Sequence, residues 1–81
     1  MNLYQLRYFS VLAGTQHYGK AAEKLCIAQP SLSHAISQLE QELGVQLFER
    51  KGRSSSLTSA GEQFLAYVSK SLAILDNGIS A

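Results

Sequence analysis

The chain has 81 residues, 46% of them hydrophobic, and a formal net charge of +1 at pH 7. This length fits one small domain, the hydrophobic fraction argues against disorder, and the bulk charge does not single out a nucleic-acid ligand. The lone Cys26 excludes an internal disulfide, and its apolar neighbours predict a small core side chain rather than a catalytic thiol. The N-terminus lacks the features of a targeting signal, and no segment approaches the roughly 20 apolar residues of a membrane span. We therefore expect a soluble intracellular protein that does not insert into a membrane.

The N-terminal residues predict a first helix that starts at about residue 3. Asn2 and Gln5 have the spacing of a capping box, in which each side chain bonds the backbone of the other residue. The apolar residues on one side of this helix are Leu3, Leu6, Phe9 and Leu12 or Ala13. Gly14 predicts the end of the helix. Residues 14–19 then form a turn, whose glycines at either end allow unusual backbone angles.

A short second helix fits residues 20–27. Its inward-facing residues are Ala21, Ala22 and Leu25. The two alanines are small enough to let another helix cross closely at this point.

A third helix is predicted from Pro30 to Leu43. Proline favours the first helical position, because its missing N–H needs no partner there, and Gly44 suits the C-terminal cap. Its apolar residues have helical spacing and predict a buried stripe: Leu32, Ile36, Leu39 and Leu43. Only a few residues separate it from the second helix, so the two helices must cross steeply. This is the helix-turn-helix arrangement.

The polar face of the third helix carries short hydrogen-bonding side chains and no charged group. Its members are Ser31, Ser33, His34, Ser37 and Gln38. Such side chains can approach base edges in a DNA major groove, and the helix N-terminus suits phosphate oxygens. Acidic residues begin only at Glu40, where the helix would leave the groove. The alternative is an ordinary serine-rich face in contact with water.

Residues 45–58 predict a short β-hairpin, because apolar Leu47 and Phe48 precede a Lys-Gly-Arg turn and residues 54–57 can extend back. The basic tip favours a wing in which Arg53 enters the minor groove and Lys51 touches phosphate. A solvated turn is the alternative. Arg50 is open to a further interpretation, since it could pair with Glu49 or Glu40 and hold the hairpin on the helix.

A last helix is predicted from Thr58 or Ser59, with Glu62 in its first turn. Apolar residues at alternating spacings of three and four form a seam typical of helix pairing: Leu65, Val68, Leu72, Leu75 and Ile79. The helix is longer than so small a domain can cover, so part of the seam is expected to face a partner, most simply a second copy of the chain. Packing of this helix onto the chain's own first helix is the alternative.

His17 and His34 lack a second ligand at the spacing of a metal site. No glycine elbow places a serine nucleophile on a strand-to-helix turn. We therefore expect neither a metal, a cofactor nor catalysis, and the chain is not predicted to be an enzyme.

The motifs that run from the second helix onwards are specific when taken together. "AAEKLCIAQPSLSHAISQLEQELGVQLFER", followed by "GR" and "LTSAGE", strongly resembles the N-terminal DNA-binding domain of the LysR-type bacterial transcriptional regulators. The opening "LYQLRYFSVLA" matches as well, so the resemblance covers essentially the whole chain. It implies a mainly α-helical winged helix-turn-helix, with a three-helix core, a hairpin wing and a long linker helix that dimerises.

The resemblance also implies the DNA contacts. Recognition by residues 30–43 in the major groove and by the wing at 50–53 would involve His17, Tyr18, Lys20, Gln29, Pro30, Ser31, Ser33, His34, Ser37, Gln38, Arg50, Lys51 and Arg53. Two positions depart from the family pattern. His34 stands where arginine is common, so recognition there becomes shorter, water-mediated or pH-dependent. Gly19 stands where threonine or serine commonly caps the second helix, and His17 or Tyr18 would have to replace that contact to phosphate.

The sequence thus predicts a DNA-binding unit over residues 1–58 and a dimerisation helix over 59–81. The expected function is sequence-specific binding of double-stranded operator DNA as a homodimer that regulates transcription in the bacterial cytoplasm, at the nucleoid. Family members carry a C-terminal domain that binds a small-molecule inducer and supports higher oligomers, and that domain is not part of these 81 residues. The competing prediction is a helical interaction module that never touches DNA. Salt-dependent binding to a palindromic duplex would separate the two.

Overall fold

The computed structural model describes residues 1–80, with Ser80 described by its backbone alone. Four helices and one antiparallel hairpin follow in the order α1 (Leu3–Thr15), α2 (Tyr18–Leu25), α3 (Gln29–Leu43), β1 (Phe48–Lys51), β2 (Ser54–Leu57) and α4 (Ser59–Ser80). The predicted fold class, a mainly helical winged helix-turn-helix, is confirmed. The predicted dimerisation helix extends to Ala81, which lies outside the described part of the chain.

Helix α1 begins with the predicted capping box. The Asn2 side chain accepts the Gln5 N–H at 2.9 Å, and the Gln5 side chain accepts the Asn2 N–H at 3.2 Å. The predicted end at Gly14 is one residue early, because the helix runs to Thr15 and Gln16 caps it in the left-handed region with φ 57°. The Gln16 N–H bonds Leu12 O at 2.8 Å, so a local hydrogen bond holds a left-handed conformation at a residue that is not glycine.

Helix α2 is shifted towards the N-terminus relative to the prediction, because His17 caps it and Tyr18 is its first residue. The prediction that Cys26 is a core side chain is wrong. Cys26 caps the C-terminus with φ 58°, its N–H bonds the carbonyls of Ala22 and Glu23, and its side chain is exposed. In this left-handed cap the side chain turns away from the core, even though both neighbours are apolar.

Helix α3 begins at Gln29, one residue before the predicted start, and ends at Leu43 with Gly44 at φ 74°. This positive φ is one that glycine adopts without steric penalty. The predicted apolar stripe is buried at Leu32, Ile36 and Leu39, so its opposite face is turned to solvent.

Three aromatic rings join the separate elements of the core. Phe9 of α1 is fully buried, and its ring centroid lies 5.5 Å from that of Phe48 in β1 and 5.3 Å from that of Phe64 in α4. These tilted pairs have favourable aromatic geometry. The hairpin and α4 are therefore anchored on the same side chain of α1.

The hairpin and α4 meet at a tight junction. The Thr58 hydroxyl accepts the Gly61 N–H at 3.0 Å and donates to Gln46 O at 2.6 Å, which identifies Thr58 as the cap. A Cβ on Gly61 would collide with the carbonyl oxygen of Leu47. Gly61 thus lets the first turn of α4 lie directly on the segment that precedes β1.

Helix α4 divides its predicted seam between two environments. Val68 and Leu72 are buried in the chain's own core, with 3% and 8% of their surface exposed, and Leu65 is partly buried against it. The expectation that part of the seam faces a partner does not extend to Val68 and Leu72, for which the alternative, packing within the chain's own core, is observed. Leu75 and Ile79 remain open, with 44% and 77% exposed.

An ion pair ties the exposed half of α4 to α1, since Arg7 Nη2 lies 2.9 Å from Asp76 Oδ1. Within residues 1–80, none of the helices combines the length and apolar character needed to cross a bilayer.

Candidate nucleic-acid interface

The N-terminal half of α3 presents the uncharged face that the sequence predicted. Gln29, Pro30, Ser31, His34, Ser37 and Gln38 are exposed, and Ser33 is half-buried. The N-cap residue Ala28 makes no side-chain hydrogen bond to this helix. The positive end of the helix dipole is thus offered to solvent, where it favours an anionic group.

The start of α2 lies beside the start of α3. His17 Nδ1 accepts the Lys20 N–H at 3.1 Å, so an imidazole rather than residue 19 caps this helix. A Cβ on Gly19 would lie 3.1 Å from His17 Cε1 and 3.8 Å from Gln29 Oε1. Glycine at this position leaves room for the capping ring of His17, and the Gln29 side chain lies nearby.

The wing is a two-residue turn between β1 and β2. Gly52 adopts φ 61°, the positive angle that primed hairpin turns require at their first position. The strands pair in the register Phe48↔Leu57 to Lys51↔Ser54. Lys51 and Arg53 are exposed on either side of Gly52, so the tip carries two solvated cations.

Arg50 has a different partner from the two acids that the sequence suggested. Its guanidinium carbon lies 4.3 Å from the centroid of the Tyr18 ring, in the range of a cation–π contact. Among residues 1–80, no ion pair joins Arg50 to Glu49 or Glu40. Tyr18 itself is 9% exposed and belongs to the core. Its assignment as a DNA contact is corrected accordingly: the Tyr18 ring packs in the core and against the guanidinium of Arg50 in the wing.

Glu40 is a structural residue that sequence reasoning did not place. Its Oε2 accepts the N–H groups of Leu47 at 2.7 Å and Phe48 at 3.3 Å. One carboxylate of α3 therefore holds the start of the hairpin. Nothing in the spacing of Glu40 along the sequence signals this role, because its partners are backbone amides brought close by the turn at Gly44.

Burial and charge set the ionisation of Tyr18. Burial raises the pKa of Tyr18 above its ordinary value, the negative charge of Glu40 raises it further, and the positive charge of Arg50 opposes both. The phenol is thus held in its neutral form, and the ring remains a neutral platform for the guanidinium.

These segments enclose one recess of about 290 Å³. Its lining comes from the starts of α2 and α3 and from the wing: His17, Gly19, Gln29, Arg50, Gly52 and Arg53. Four residues predicted separately from the sequence, His17, Gln29, Arg50 and Arg53, are thus brought together. Lys20 and Lys51 are exposed outside this lining. Two helix N-termini and the guanidinium group of Arg53 around one opening favour a polyanion.

Metal binding is not supported by the arrangement of the described residues. Within residues 1–80 no group of three His, Cys, Asp or Glu side chains is placed to hold a metal ion.

Comparison with known proteins assigns the chain to a family. The sequence profile of the bacterial regulatory helix-turn-helix proteins of the lysR family matches residues 3–62. The chain belongs to the LysR family. Its resemblance to that family, first noted from the motifs, is confirmed.

Relatives within the family are regulators of greater length. The transcriptional regulator BenM of Acinetobacter baylyi is 48% identical over 80 residues, which are 99% of this chain and 26% of BenM. The regulator AlsR of Bacillus subtilis is 46% identical over 79 residues, covering 98% of this chain and 26% of AlsR. The chain therefore spans about a quarter of the length of these family members.

Solved structures of family members share the fold closely. The BenM DBD in complex with benA site 1 DNA gives a TM-score of 0.93 at 48% identity, covering 99% of this chain and 93% of that one. The CbnR DBD–DNA complex gives 0.93 at 34% identity, covering 99% and 92%. In both cases the similar chain is one that was solved bound to DNA.

Proposed function

We propose that this chain binds double-stranded DNA in a sequence-specific manner as a homodimer and regulates transcription. Residues 1–58 form the unit that contacts DNA, and residues 59–81 supply the dimerisation helix. Helix α4 is shared between the two as far as Leu72, because Val68 and Leu72 belong to the same core as α1.

One observation carries the proposal: the recess brings the wing, with Arg50 and Arg53, against the starts of α2 and α3. DNA is the polyanion that such a surface fits, because the exposed polar face of α3 extends from the recess. A groove of duplex DNA accepts a helix, and its phosphates flank that helix on either side.

The side chains divide by role. Gln29, Ser33 and His34 read base edges in the major groove, while the other polar residues at the start of α3 approach the sugar-phosphate wall: Pro30, Ser31, Ser37 and Gln38. His17 and Lys20 face phosphate at the start of α2. Arg53 enters the neighbouring minor groove and Lys51 contacts its phosphates.

The dimer uses the face of α4 that the core leaves open. Tyr67 and Ile74 are 72% and 69% exposed, and Leu75 and Ile79 extend the apolar surface towards the C-terminus. A closed two-fold dimer buries this face once on each copy. Two recognition helices related by that axis would read two half-sites of a palindromic operator.

The length of the relatives supports a larger regulator. BenM and AlsR are matched over 26% of their sequences, so a C-terminal domain that binds a small-molecule inducer would complete this protein. The proposed role is binding without catalysis, in the bacterial cytoplasm where operator DNA lies.

Selection from a random-sequence duplex library, followed by fluorescence anisotropy with the recovered duplex, tests the proposal. We expect the recovered sites to be palindromic and bound about 10³-fold more tightly than a scrambled duplex. The logarithm of the binding constant should fall linearly with that of salt concentration. A chain that dimerises but shows neither sequence preference nor salt-dependent binding would be an interaction module instead.

A further inference from the structure

The hairpin is attached to the helices at several points, through the backbone of β2, where Ser54 also forms a bridge with His17, and through β1. The Ser55 N–H donates to Gln16 O at 2.9 Å, which fixes β2, while Glu40 holds the start of β1. Further along β1, Arg50 lies 4.3 Å above the Tyr18 ring. It stands two residues before Gly52, so it is the last side-chain anchor of β1 before the turn.

We propose that Arg50 is a positioning residue, whose guanidinium, stacked on the Tyr18 ring, fixes the wing tip relative to α2 and α3 and so lets Arg53 reach the minor groove. This inference rests on the proposed function for its consequence at DNA. The stack itself is a property of the free chain.

The geometry favours stacking over an ion pair as the source of this anchor. The Glu40 carboxylate is engaged by the backbone N–H groups of Leu47 and Phe48, and Tyr18 presents a buried ring that the core holds in place. A planar guanidinium matches the face of such a ring, whereas a lysine ammonium is a compact, hydrated charge that matches it less well. Arg50 and lysine are therefore not equivalent at this position.

The connection between the stack and the tip is short and stiff. Arg50 pairs with Ser55 across the hairpin, and Lys51 with Ser54 closes the strands before the turn. Arg53 follows Gly52 in the two-residue turn. A displacement of Arg50 on the helical body therefore moves Arg53 with it, since only Lys51 and the turn residue Gly52 lie between them.

The experiment compares four variants of the 81-residue chain on a duplex selected by the wild type: Tyr18→Leu, Tyr18→Phe, Arg50→Lys and Arg50→Ala. All are measured at a temperature where circular dichroism shows them fully folded. Tyr18→Leu and Arg50→Lys should each weaken binding about five- to twentyfold, and Tyr18→Phe should restore wild-type affinity because it keeps the ring.

A double-mutant cycle with Arg53→Ala distinguishes positioning from a merely structural role. In the wild-type background Arg53→Ala should weaken binding about tenfold, and in the Tyr18→Leu background only about twofold. A stack that only stabilised the fold would leave both folded variants with equal sensitivity to Arg53→Ala. The proposal would be wrong if Arg50→Ala weakened binding by the same factor with and without Arg53 and also lowered the salt dependence of binding by about one phosphate contact. Arg50 would then itself be a DNA contact.

Hydrogen exchange of the free chain supplies a readout that needs no DNA. Amides of β1 and β2 should exchange about tenfold faster in Tyr18→Leu and Arg50→Lys than in wild type, while those of α3 stay unchanged and Tyr18→Phe behaves as wild type. Unchanged hairpin exchange in all four variants would overturn the proposal even if Tyr18→Leu and Arg50→Lys bind DNA more weakly. Faster hairpin exchange in a chain that binds no duplex would refute the proposed function and leave the anchoring role of the stack intact.

Discussion

Helix α4 carries two apolar faces, and a pair of substitutions should separate their roles. Leu72 is 8% exposed and belongs to the core with Phe9 and Leu12, whereas Ile74, two residues further on, is 69% exposed. We expect Leu72→Ala to destabilise the folded monomer. Ile74→Ser should instead weaken the dimer and leave the monomer fold intact.

The two effects should differ in size as well as in kind. Truncating a buried leucine to alanine costs about 2–5 kcal/mol, and we expect about 2–3 for Leu72, which lies at the edge of the core. Burying an isoleucine side chain contributes about 1.5–3 kcal/mol, and a symmetric dimer buries two. The loss of about 3–6 kcal/mol at Ile74 corresponds to a rise in the dimer dissociation constant of roughly 10²- to 10⁴-fold.

Sedimentation velocity over a range of concentrations measures the dimer, and urea unfolding at concentrations where the chain is monomeric measures the fold. The separation matters because dimerisation adds to apparent stability by mass action. Tyr4→Ser is a control for the loss of an exposed large side chain, since Tyr4 is 71% exposed on α1, and should change neither quantity.

The assignment of faces would be refuted if Ile74→Ser sedimented as wild type while lowering the unfolding free energy of the monomer. It would equally be refuted if Leu72→Ala dissociated the dimer without affecting the midpoint of monomer unfolding in urea.

Three further outcomes follow from single contacts. Arg53→Ala should weaken DNA binding by about 1–3 kcal/mol, measured by anisotropy, with unchanged thermal stability; equal affinity would remove Arg53 from the interface. Gly61→Ala should lower the unfolding free energy by about 2 kcal/mol or more, because the added methyl collides with Leu47 O, whereas Gly14→Ala, with open space around it, should be neutral or stabilising. Burial raises the pKa of Tyr18 in the folded chain, so the unfolded chain loses the phenol proton first as the pH rises. The free energy of unfolding should therefore fall above about pH 10. In urea titrations, Tyr18→Phe should lessen that fall.

Local sequence signals predicted the elements well where neighbouring residues alone determine the structure. Asn2 and Gln5 form their capping box within four residues, and Gly44 caps α3 as expected. The apolar stripe of α3 followed from its period, and the wing turn from Gly52. Each of these features depends on residues that are close in the chain, so their spacing carries the information.

Features that depend on contacts between distant elements could not be predicted in the same way. The stack of Arg50 on Tyr18 joins β1 to α2, and Glu40 bonds amides that only the folded chain brings near. The left-handed caps at Gln16 and Cys26 arise from local hydrogen bonds to preceding carbonyls, which outweigh the preference for glycine there. Composition and periodicity reveal neither the contacts between distant elements nor the hydrogen bonds of these caps.

The seam of α4 shows a further limit of periodicity. Alternating spacing identified Val68, Leu72 and Leu75 as apolar positions, but it does not say which neighbour covers them. The structure assigns Val68 and Leu72 to the core and leaves Leu75 exposed. Tyr67 and Ile74, which lie outside the predicted seam, are 72% and 69% exposed, more than Leu75 at 44%.

The central claim is that the uncharged face at the start of α3 reads DNA sequence. Its most direct test is parallel selection from a random duplex library by the wild-type chain and by Gln29→Ala, with the recovered sites sequenced. The account predicts that Gln29→Ala relaxes or changes the preferred base at one symmetric pair of positions, while affinity for scrambled DNA stays nearly constant. Identical recovered sites for both proteins, bound with identical preference at every position, would contradict the assignment of Gln29 and of this face to the major groove.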